Sequence, residues 1–431
     1  MDMHNHAEDI LARAKAAGAE AAECSVSSTS RTELNADVGG FTLMRTTFGH
    51  SVSVKILKGG RKGTAATNSL EAEDTDRMIR EAAAAAEASQ PDPAEDVAEL
   101  SENGIFADGA LEPDRDILYS RSAEFLADLA ARWPKVSLDS FTAVHIRSDR
   151  QYLNTRGVDL VTNAGVYAFS AMFYAKDGEL TSSFASTGFV TATADRPLVE
   201  CGDFAELLDG CVAQLSPVPF EGKAVCPVIA TPACVEGLIG DALGNFVSDV
   251  PLIDGTSIWK DKLGEAVASP LLSVRSDPTD ARLACPTRVT GDGYPTAPTS
   301  VISEGRLENF LLSRYGAART GLSRAKSYGD DLVVAPGKTP LSEMIAGVED
   351  GFLLCRISGG EPAPNGDFSA IAKNSFRIRG GRIAEAVSET MVSGNLAEML
   401  QNITAVSRET LENGDSVMPY IRFDGLTVSG K

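Results

Sequence analysis

The stretch from Ala230 to Asp249, ATPACVEGLIGDALGNFVSD, is where this sequence could most readily carry chemistry. It follows an apolar run, AVCPVI, which predicts a buried strand, and its own spacing predicts a helix. A turn from a strand into a helix is a known place for a catalytic group. The predicted helix carries carboxylates at Glu236, Asp241 and Asp249 but has no histidine.

The usual catalytic motifs are absent from the rest of the sequence. A zinc hydrolase typically has two histidines on one helix with a glutamate beside the first. This chain has only His4, His6, His50 and His145, and none has that setting. We expect the first two to lie in a mobile terminus and the other two to be structural. Neither the GxSxG pattern of serine hydrolases nor the GxxxxGK[ST] phosphate loop occurs.

Composition and charge exclude several classes of protein. The chain has 431 residues and a net charge of -21, which opposes binding to nucleic acid or to an anionic membrane. It has no apolar run long enough for a membrane span and no secretory signal, so we predict a cytoplasmic protein. The seven cysteines form no CxxC pair, and we expect reduced, mostly buried thiols.

The order of predicted elements indicates an α+β fold, with an N-terminal α/β domain followed by a strand-rich C-terminal domain. We predict an N-terminal region at 1–216, with candidate sub-units at 1–90 and 96–216, and a C-terminal domain at 222–431. The Pro-rich segment LSPVPFEG at 215–222 is the predicted boundary.

Individual elements follow from periodicity and turn residues. Helices are predicted at about 7–19, 70–89 with Ser69 as N-cap, 113–132 and 203–215, and a last one in NLAEMLQNITAVS. The runs AAECSVSS, TELNADVGG, FTLMRTTFG and HSVSVKILKGG predict separate strands. Gly380 and Gly381 predict the turn of a late hairpin.

Several segments, in this order, together resemble the TldD/PmbA family, also called modulator of DNA gyrase. They cover most of the chain, and it is their ordered set that is specific. The segments are ARAKAAGAEAAECSVSS, VKILKGGRKGTAATNSL, DKLGEAVASPLLSVRSDP, ISEGRLENFLLSRYGAARTGL, DLVVAPGKTPLSEMIAGVEDGFLL, NGDFSAIAKNSFRIRGGRI and VSETMVSGNLAEMLQNITAVS.

This resemblance implies hydrolysis of peptide bonds. The TldD branch carries an HExxxH motif and a later cysteine, which hold zinc; the PmbA or TldE branch lacks the motif and pairs with TldD. Here VEGLIG can be laid over HExxxH, which puts Val235 and Gly240 at the ligand positions and leaves Glu236 at the position of the base. The resemblance therefore implies a PmbA/TldE-like chain with no metal of its own, zinc being held by a TldD-like partner. Cys355, in the apolar run GFLLCRI, is expected to be a core residue rather than a ligand.

Three functions remain open at this point. The chain is a non-catalytic subunit of a zinc peptidase that acts on unfolded or small peptides, a peptide-binding homodimer, or an independent enzyme that uses Glu236 with Asp241. An extended peptide would dock along a sheet edge. The loop GGEPAPNGDFS at 359–369 is the candidate contact, through Gly366, Asp367, Phe368 and Ser369, although the same residues also predict an ordinary Asx-type turn.

Overall fold

The computed structural model describes residues 2–430 and confirms an α+β fold. A short 3₁₀ turn at Leu198–Glu200 accompanies the helices. The α-helices are α1 (Met3–Ala16), α2 (Ala72–Ala88), α3 (Arg115–Arg132), α4 (Phe204–Ala213), α5 (Pro232–Phe246), α6 (Asp249–Ile253), α7 (Arg314–Thr320), α8 (Leu341–Ala346) and α9 (Leu396–Gln401).

The first sheet is formed by the N-terminal half of the chain, in the order β3-β2-β1-β5-β6-β4, with β7 and β8 also paired to β6. Its pairs are antiparallel except for β4 with β6. The strands are β1 (Ala21–Asp37), β2 (Gly40–Lys58), β3 (Arg61–Thr67), β4 (Gly104–Gly109), β5 (Val136–Asn154), β6 (Asp159–Asp177), β7 (Leu180–Thr181) and β8 (Ala185–Thr191).

The second sheet is formed by the C-terminal half and follows the order β13-β12-β11-β14-β22-β10-β15-β18-β19-β9, with β16, β17, β20 and β21 attached beside this path. Its strands are β9 (Val218–Pro219), β10 (Lys223–Ala230), β11 (Val274–Ser276), β12 (Thr299–Ser303), β13 (Arg306–Leu307), β14 (Leu332–Val334), β15 (Asp350–Leu354), β16 (Arg356–Ser358), β17 (Asp367–Lys373), β18 (Phe376–Arg379), β19 (Arg382–Ser388), β20 (Thr390–Asn395), β21 (Ile403–Glu412) and β22 (Val417–Ser429).

Each sheet buries its own apolar core. Helices α1 and α2 pack on β1 and β2, and α3 and α4 pack on β5, β6 and β8. In the second sheet α5 and α9 lie over β22 and its neighbours, and this cluster is the largest of the core clusters. The segment 215–222 contributes β9, which pairs with β19, so this stretch is integrated into the second sheet. The division of the chain at this point stays a prediction.

Several predicted elements are confirmed and others need correction. Helix 113–132 appears as α3, and Gly380 and Gly381, both at positive φ, turn β18 into β19. The four predicted N-terminal strands are only two, β1 and β2, because the ladder between them continues through the polar residues 29–31 of β1 and through Gly49 of β2. Ser69 is not the N-cap of α2, because Glu71 has that position. The Ser69 hydroxyl instead accepts a hydrogen bond from the backbone N–H of Glu71.

The half of β2 from Gly40 to Ser51 is unusually exposed, and we call it the β2 arm. It pairs with β1 on one side, while β3 begins to pair with β2 only at Val52. Phe48 in the arm is 77% exposed and Met44 is 48% exposed.

A close contact between β3 and α2 provides a test of the first sheet. A Cβ atom on Gly63 would collide with the backbone of α2 at Ala82 and Ala86. We expect Gly63→Ala to force the two elements apart and to lower the free energy of unfolding by about 1–3 kcal/mol, as overpacking does. Gly49→Ala is the matched control, since a Cβ there meets no atom within 4 Å. Equal denaturation midpoints for the two variants would contradict the packing described.

Candidate functional site

Helix α5 forms as the sequence predicts, directly after β10. Thr231 is extended at the N-cap position and Pro232 opens the helix, where its fixed φ and missing N–H cost nothing. The Thr231 hydroxyl donates to the carbonyl of Cys355 (3.1 Å) instead of capping the helix, and this ties α5 to the end of β15. One face of α5 packs into the core of the second sheet.

The residues laid over the zinc motif offer a single side-chain donor, Glu236. Val235 is completely buried in the core, and Gly240 has no side chain. Glu236 is half-buried, and burial raises the pKa of its carboxyl; nearby Asp415 raises it further, while Ser416 opposes the shift. Over residues 2–430 the structure contains no group of three or more His, Cys, Asp or Glu residues that could hold a metal ion.

The four histidines all lie on elements of the N-terminal half. Our expectation of a mobile terminus is wrong, because His4 and His6 belong to α1, which Asp2 caps through the backbone N–H of His4. His6 is a buried residue of α1, whereas the imidazole of His4 lies near the carboxylates of Glu8 and Asp159. His145 is buried, with its Nε2 2.6 Å from the carbonyl oxygen of Ala110.

Glu236 and Asp241 face different parts of the protein. They are five residues apart on α5, which turns them about 140° from one another around the axis. Burial raises the pKa of Asp241, and the neighbouring charge is Glu361 in the 359–369 loop rather than Glu236. Asp249 accepts from the backbone N–H of Ser313 (2.9 Å) and so supports the start of α7. The geometry does not favour a catalytic pair on α5.

The 359–369 loop leads into β17 through a compact turn. Asp367 accepts from the side-chain amides of Asn365 (2.7 Å) and Asn395 (2.9 Å), which hold the pKa of its carboxyl below its ordinary range. Gly366 has a φ of 91°, a conformation that L residues rarely adopt. Phe368 is buried and Ser369 is exposed. These residues lie beside the C-terminal end of α5, since a Cβ on Gly366 would touch Phe246.

A cavity of about 440 Å³ lies at the amino end of α5. Elements of both halves of the chain form its walls: α4 and β8 on one side, and α5, β15, β16, β18 and β22 on the other. Most of the lining is apolar. We call this space the α4–α5 cavity.

Two carboxyl groups of α4, Asp203 and Glu206, line this cavity. Desolvation by the surrounding protein raises the pKa of both carboxyls, although Glu206 keeps accessible surface in the cavity. Tyr420 donates its hydroxyl to Glu206 (2.8 Å), and Thr187 donates to Asp203. Within the part of the chain that the structure describes, neither carboxyl has a Lys, Arg or His ion-pair partner.

Three thiols also line the cavity, those of Cys211, Cys234 and Cys355. Cys234 is buried, and this raises its pKa to about 12; the pKa of Cys355 is raised for the same reason, with Glu206 adding to the effect. Burial thus disfavours the thiolate, which is the nucleophilic form, at both Cys234 and Cys355. Cys355 packs partly against the core, as expected, but also contributes to the cavity wall.

Two models of one family match this chain. The model for the PmbA/TldA metallopeptidase C-terminal domain matches residues 222–430, and the model for PmbA/TldA metallopeptidase domain 1 matches residues 22–86. Together they cover more than half of the sequence. The chain belongs to the PmbA/TldD family.

Three relatives of this PmbA/TldD family member show the extent of the similarity. "Metalloprotease PmbA" of Escherichia coli O157:H7 is 24% identical over 96% of this chain and 94% of its own. A "Metalloprotease" of Methanothermobacter thermautotrophicus is 30% identical over 194 residues, 42% of each chain. The crystal structure of TldE from Thermococcus kodakarensis has the same fold, with a TM-score of 0.83 over 99% of this chain and 100% of that one, at 20% identity.

The raised pKa of Glu206 predicts how stability depends on pH. The folded protein holds this proton more tightly than the unfolded chain, so ionisation of Glu206 costs stability as pH rises from about 4.5 towards its raised folded value. We expect Glu206→Gln to remove that cost. The free energy of unfolding of the variant should therefore increase, relative to the unsubstituted protein, between pH 4.5 and pH 8 in urea titrations.

The exposed Glu398 of α9 supplies the control, because it does not line the cavity. Glu398→Gln should show no such trend. A Glu206→Gln variant that loses relative stability as pH rises would contradict the desolvation of this carboxyl.

Proposed function

We propose that this chain is a non-catalytic subunit of a cytoplasmic zinc metallopeptidase that acts on unfolded or small peptides. In this proposal a TldD-like relative with an intact HExxxH motif holds the zinc and performs the hydrolysis. The observation that carries the proposal is that α5 keeps its packing but lacks side-chain ligands for zinc. The helix is well packed after β10, yet its two ligand positions are a core valine, Val235, and a glycine, Gly240.

Zinc chemistry does not fit the residues present. Structural and catalytic zinc sites need three or four side-chain donors, and Glu236 offers one. Its carboxyl is partly desolvated, and this raises its pKa and weakens it as an anionic ligand. Without a metal, water keeps its ordinary pKa and is a poor nucleophile at neutral pH. We therefore assign no step of hydrolysis to this chain.

The retained scaffold supports a role in assembly and in holding substrate. An extended peptide that adds to a sheet edge gains main-chain hydrogen bonds without side-chain chemistry. Gly366, Asp367, Phe368 and Ser369 remain our proposed contact, with the exposed Asp367 and Ser369 as its accessible side chains. A second copy of this chain is the alternative partner, and co-purification of the native protein separates the two assemblies.

None of the helices described for residues 2–430 is long and apolar enough to cross a membrane.

The first test concerns metal content. We expect the purified chain, after removal of any affinity tag, to contain far less than one zinc per molecule, because no histidine follows position 145. Elemental analysis after dialysis measures this directly. About one tightly held zinc per chain would overturn the assignment of the metal to a partner.

The second test concerns activity. We expect no peptide turnover by the chain alone and clear turnover when it is mixed with an HExxxH-bearing relative from the same cell. Glu236→Gln should leave the mixed activity nearly unchanged, because general-base catalysis would belong to the partner's own glutamate. Replacing that partner glutamate is the matched control and should abolish turnover. A hundredfold loss with Glu236→Gln, with folding and assembly intact, would show that Glu236 is catalytic.

A further inference from the structure

A pocket of about 340 Å³ lies on the face of the first sheet opposite α1 and α2. Cys24 and Val26 of β1 pack with these helices, so Ser25 between them faces the pocket. Strands β1, β2, β3 and β5 form the floor, and the loop 289–294 of the C-terminal half closes one side at Gly291. We call this space the Arg150 pocket.

Arg150 brings an unpaired positive charge to this pocket. Its Nε donates to the hydroxyl of Ser25 (2.8 Å), and its Cζ lies 5.9 Å from the ring centroid of Tyr152, at the outer limit of a cation–π contact. Among residues 2–430, Nη1 and Nη2 make no hydrogen bond and no ion pair, yet both keep accessible surface. Burial lowers the pKa of the Arg150 guanidinium, which still stays charged at neutral pH.

The acidic residue of the pocket is already paired. Glu23 accepts from the hydroxyl of Tyr152 (2.8 Å), and its carboxylate lies 3.1 Å from the Nζ of Lys55. The charge of Glu23 is therefore balanced by Lys55, and Arg150 supplies the excess charge of the pocket. Asp292 does not line the pocket, and its carboxylate accepts from the hydroxyl of Tyr328 (2.8 Å). A partly desolvated charge without a partner is costly, which indicates that an anion completes it.

Two exposed hydroxyls add further donors to the Arg150 pocket. Ser53 of β2 lies directly across from Ser25, and Thr64 of β3 lies directly across from Lys55. Both line the pocket, and within the described part of the chain neither hydroxyl has a hydrogen-bond partner. A hydroxyl can turn its proton towards an oxyanion. The pocket therefore presents the guanidinium of Arg150 together with neutral donors that nothing else occupies.

We propose that the Arg150 pocket binds a carboxylate group, held by Nη1 and Nη2 of Arg150 and by the hydroxyl of Ser53. A planar guanidinium matches the two oxygens of a carboxylate through two parallel hydrogen bonds. One excess positive charge suits a monoanion, whereas a phosphate dianion would leave a negative charge uncompensated beside Glu23.

Two sources on a peptide have this chemistry, the carboxyl terminus and the side chain of an aspartate or glutamate. The choice of peptides rests on the proposed function of the chain. The binding site itself requires no catalytic partner, because all its residues belong to this chain.

The first experiment measures binding of two pairs of peptides to the full chain alone by isothermal titration calorimetry. One pair is acetyl-trialanine with a free carboxyl terminus and its amide. The other is acetyl-alanyl-glutamyl-alanine amide and its glutamine counterpart. We expect at least one carboxylate peptide to bind, and its uncharged counterpart to bind tenfold or more weakly; the pair that shows this loss identifies the source. Absence of binding, equal binding within both pairs, or tighter binding of inorganic phosphate would overturn the proposal.

The role of the guanidinium is tested with two arginine variants. Arg150→Gln removes the charge and the two terminal nitrogens but keeps an amide that can donate to Ser25. Arg382→Gln is the matched control, because Arg382 is an exposed residue of β19 outside the pocket. We expect Arg150→Gln to reduce affinity for the carboxylate peptide tenfold or more, and Arg382→Gln to change it less than twofold. Equal affinity in the two variants would place the ligand elsewhere and contradict the proposal.

Two glycines test the location of the site without changing Arg150. Gly291 lines the pocket, Gly49 does not, and a Cβ at either position meets no atom within 4 Å. Neither glycine has a positive φ, so both should accept a side chain. Gly291→Glu places a competing carboxylate at the pocket and should weaken binding tenfold or more, whereas Gly49→Glu adds the same charge outside it and should change binding less than twofold.

Equal effects of the two glutamates would show a general charge effect instead of a site and would contradict the proposal. Because the readout is binding to the chain alone, failure here is distinguishable from failure of the mixed peptidase assay.

Discussion

Strand β22 is the element on which the second sheet depends. It pairs with β10 and β14 along one edge and with β20 and β21 along the other, so its backbone joins both halves of the sheet. Its side chains fill the core through Ile421, Phe423 and Val428, which are completely buried. The same strand reaches the candidate site, since Tyr420 holds Glu206 of α4 and Ser416, just before β22, lies near Glu236. Strand β22 therefore both holds the second sheet together and positions residues of the candidate site.

The α4–α5 cavity exists because the two halves of the chain meet there. Gln214, just beyond α4, donates to the carbonyl of Ser375 (3.2 Å), and Ser375 in turn accepts from the backbone N–H of Cys355 (3.2 Å). These bonds fix α4 against the strands of the second sheet. The carboxyls of α4 are consequently partly desolvated by the neighbouring protein, and this raises the pKa of each.

The sequence was informative about local structure and much less so about the site. Helix α5 could be predicted because an apolar strand, Pro232 and a helical apolar period follow one another in the chain. The absence of zinc ligands on it could be predicted from residue types alone. The full length of strands β1 and β2 could not, since the polar residues 29–31 and Gly49 look like breaks in the sequence although the ladder continues through them.

The cavity left almost no signal in the sequence. Glu206 and Tyr420 are 214 positions apart, and only the tertiary fold brings them together. The one local indication was a pair of acidic residues, Asp203 and Glu206, on an otherwise apolar helix. Whether such residues face solvent or a cavity depends on what packs against the helix, and that is decided by β15, β18 and β22 far along the chain.

The open edge of the β2 arm makes the tendency of this protein to self-associate depend on the net charge of the rest of the chain. Proteins usually protect a long open strand edge with local Lys, Glu or Pro residues or a bulge. The arm has none of these residue types between Gly40 and Ser51, its bulge at Thr42 lies close to the turn into β1, and its only charged side chain at neutral pH is Arg45. Repulsion between molecules of net charge -21 is then the main barrier to pairing of arms. Because salt screens such repulsion over about 8 Å at physiological ionic strength, concentrated salt or a pH near the isoelectric point of 4.7 should promote self-association, which light scattering would detect.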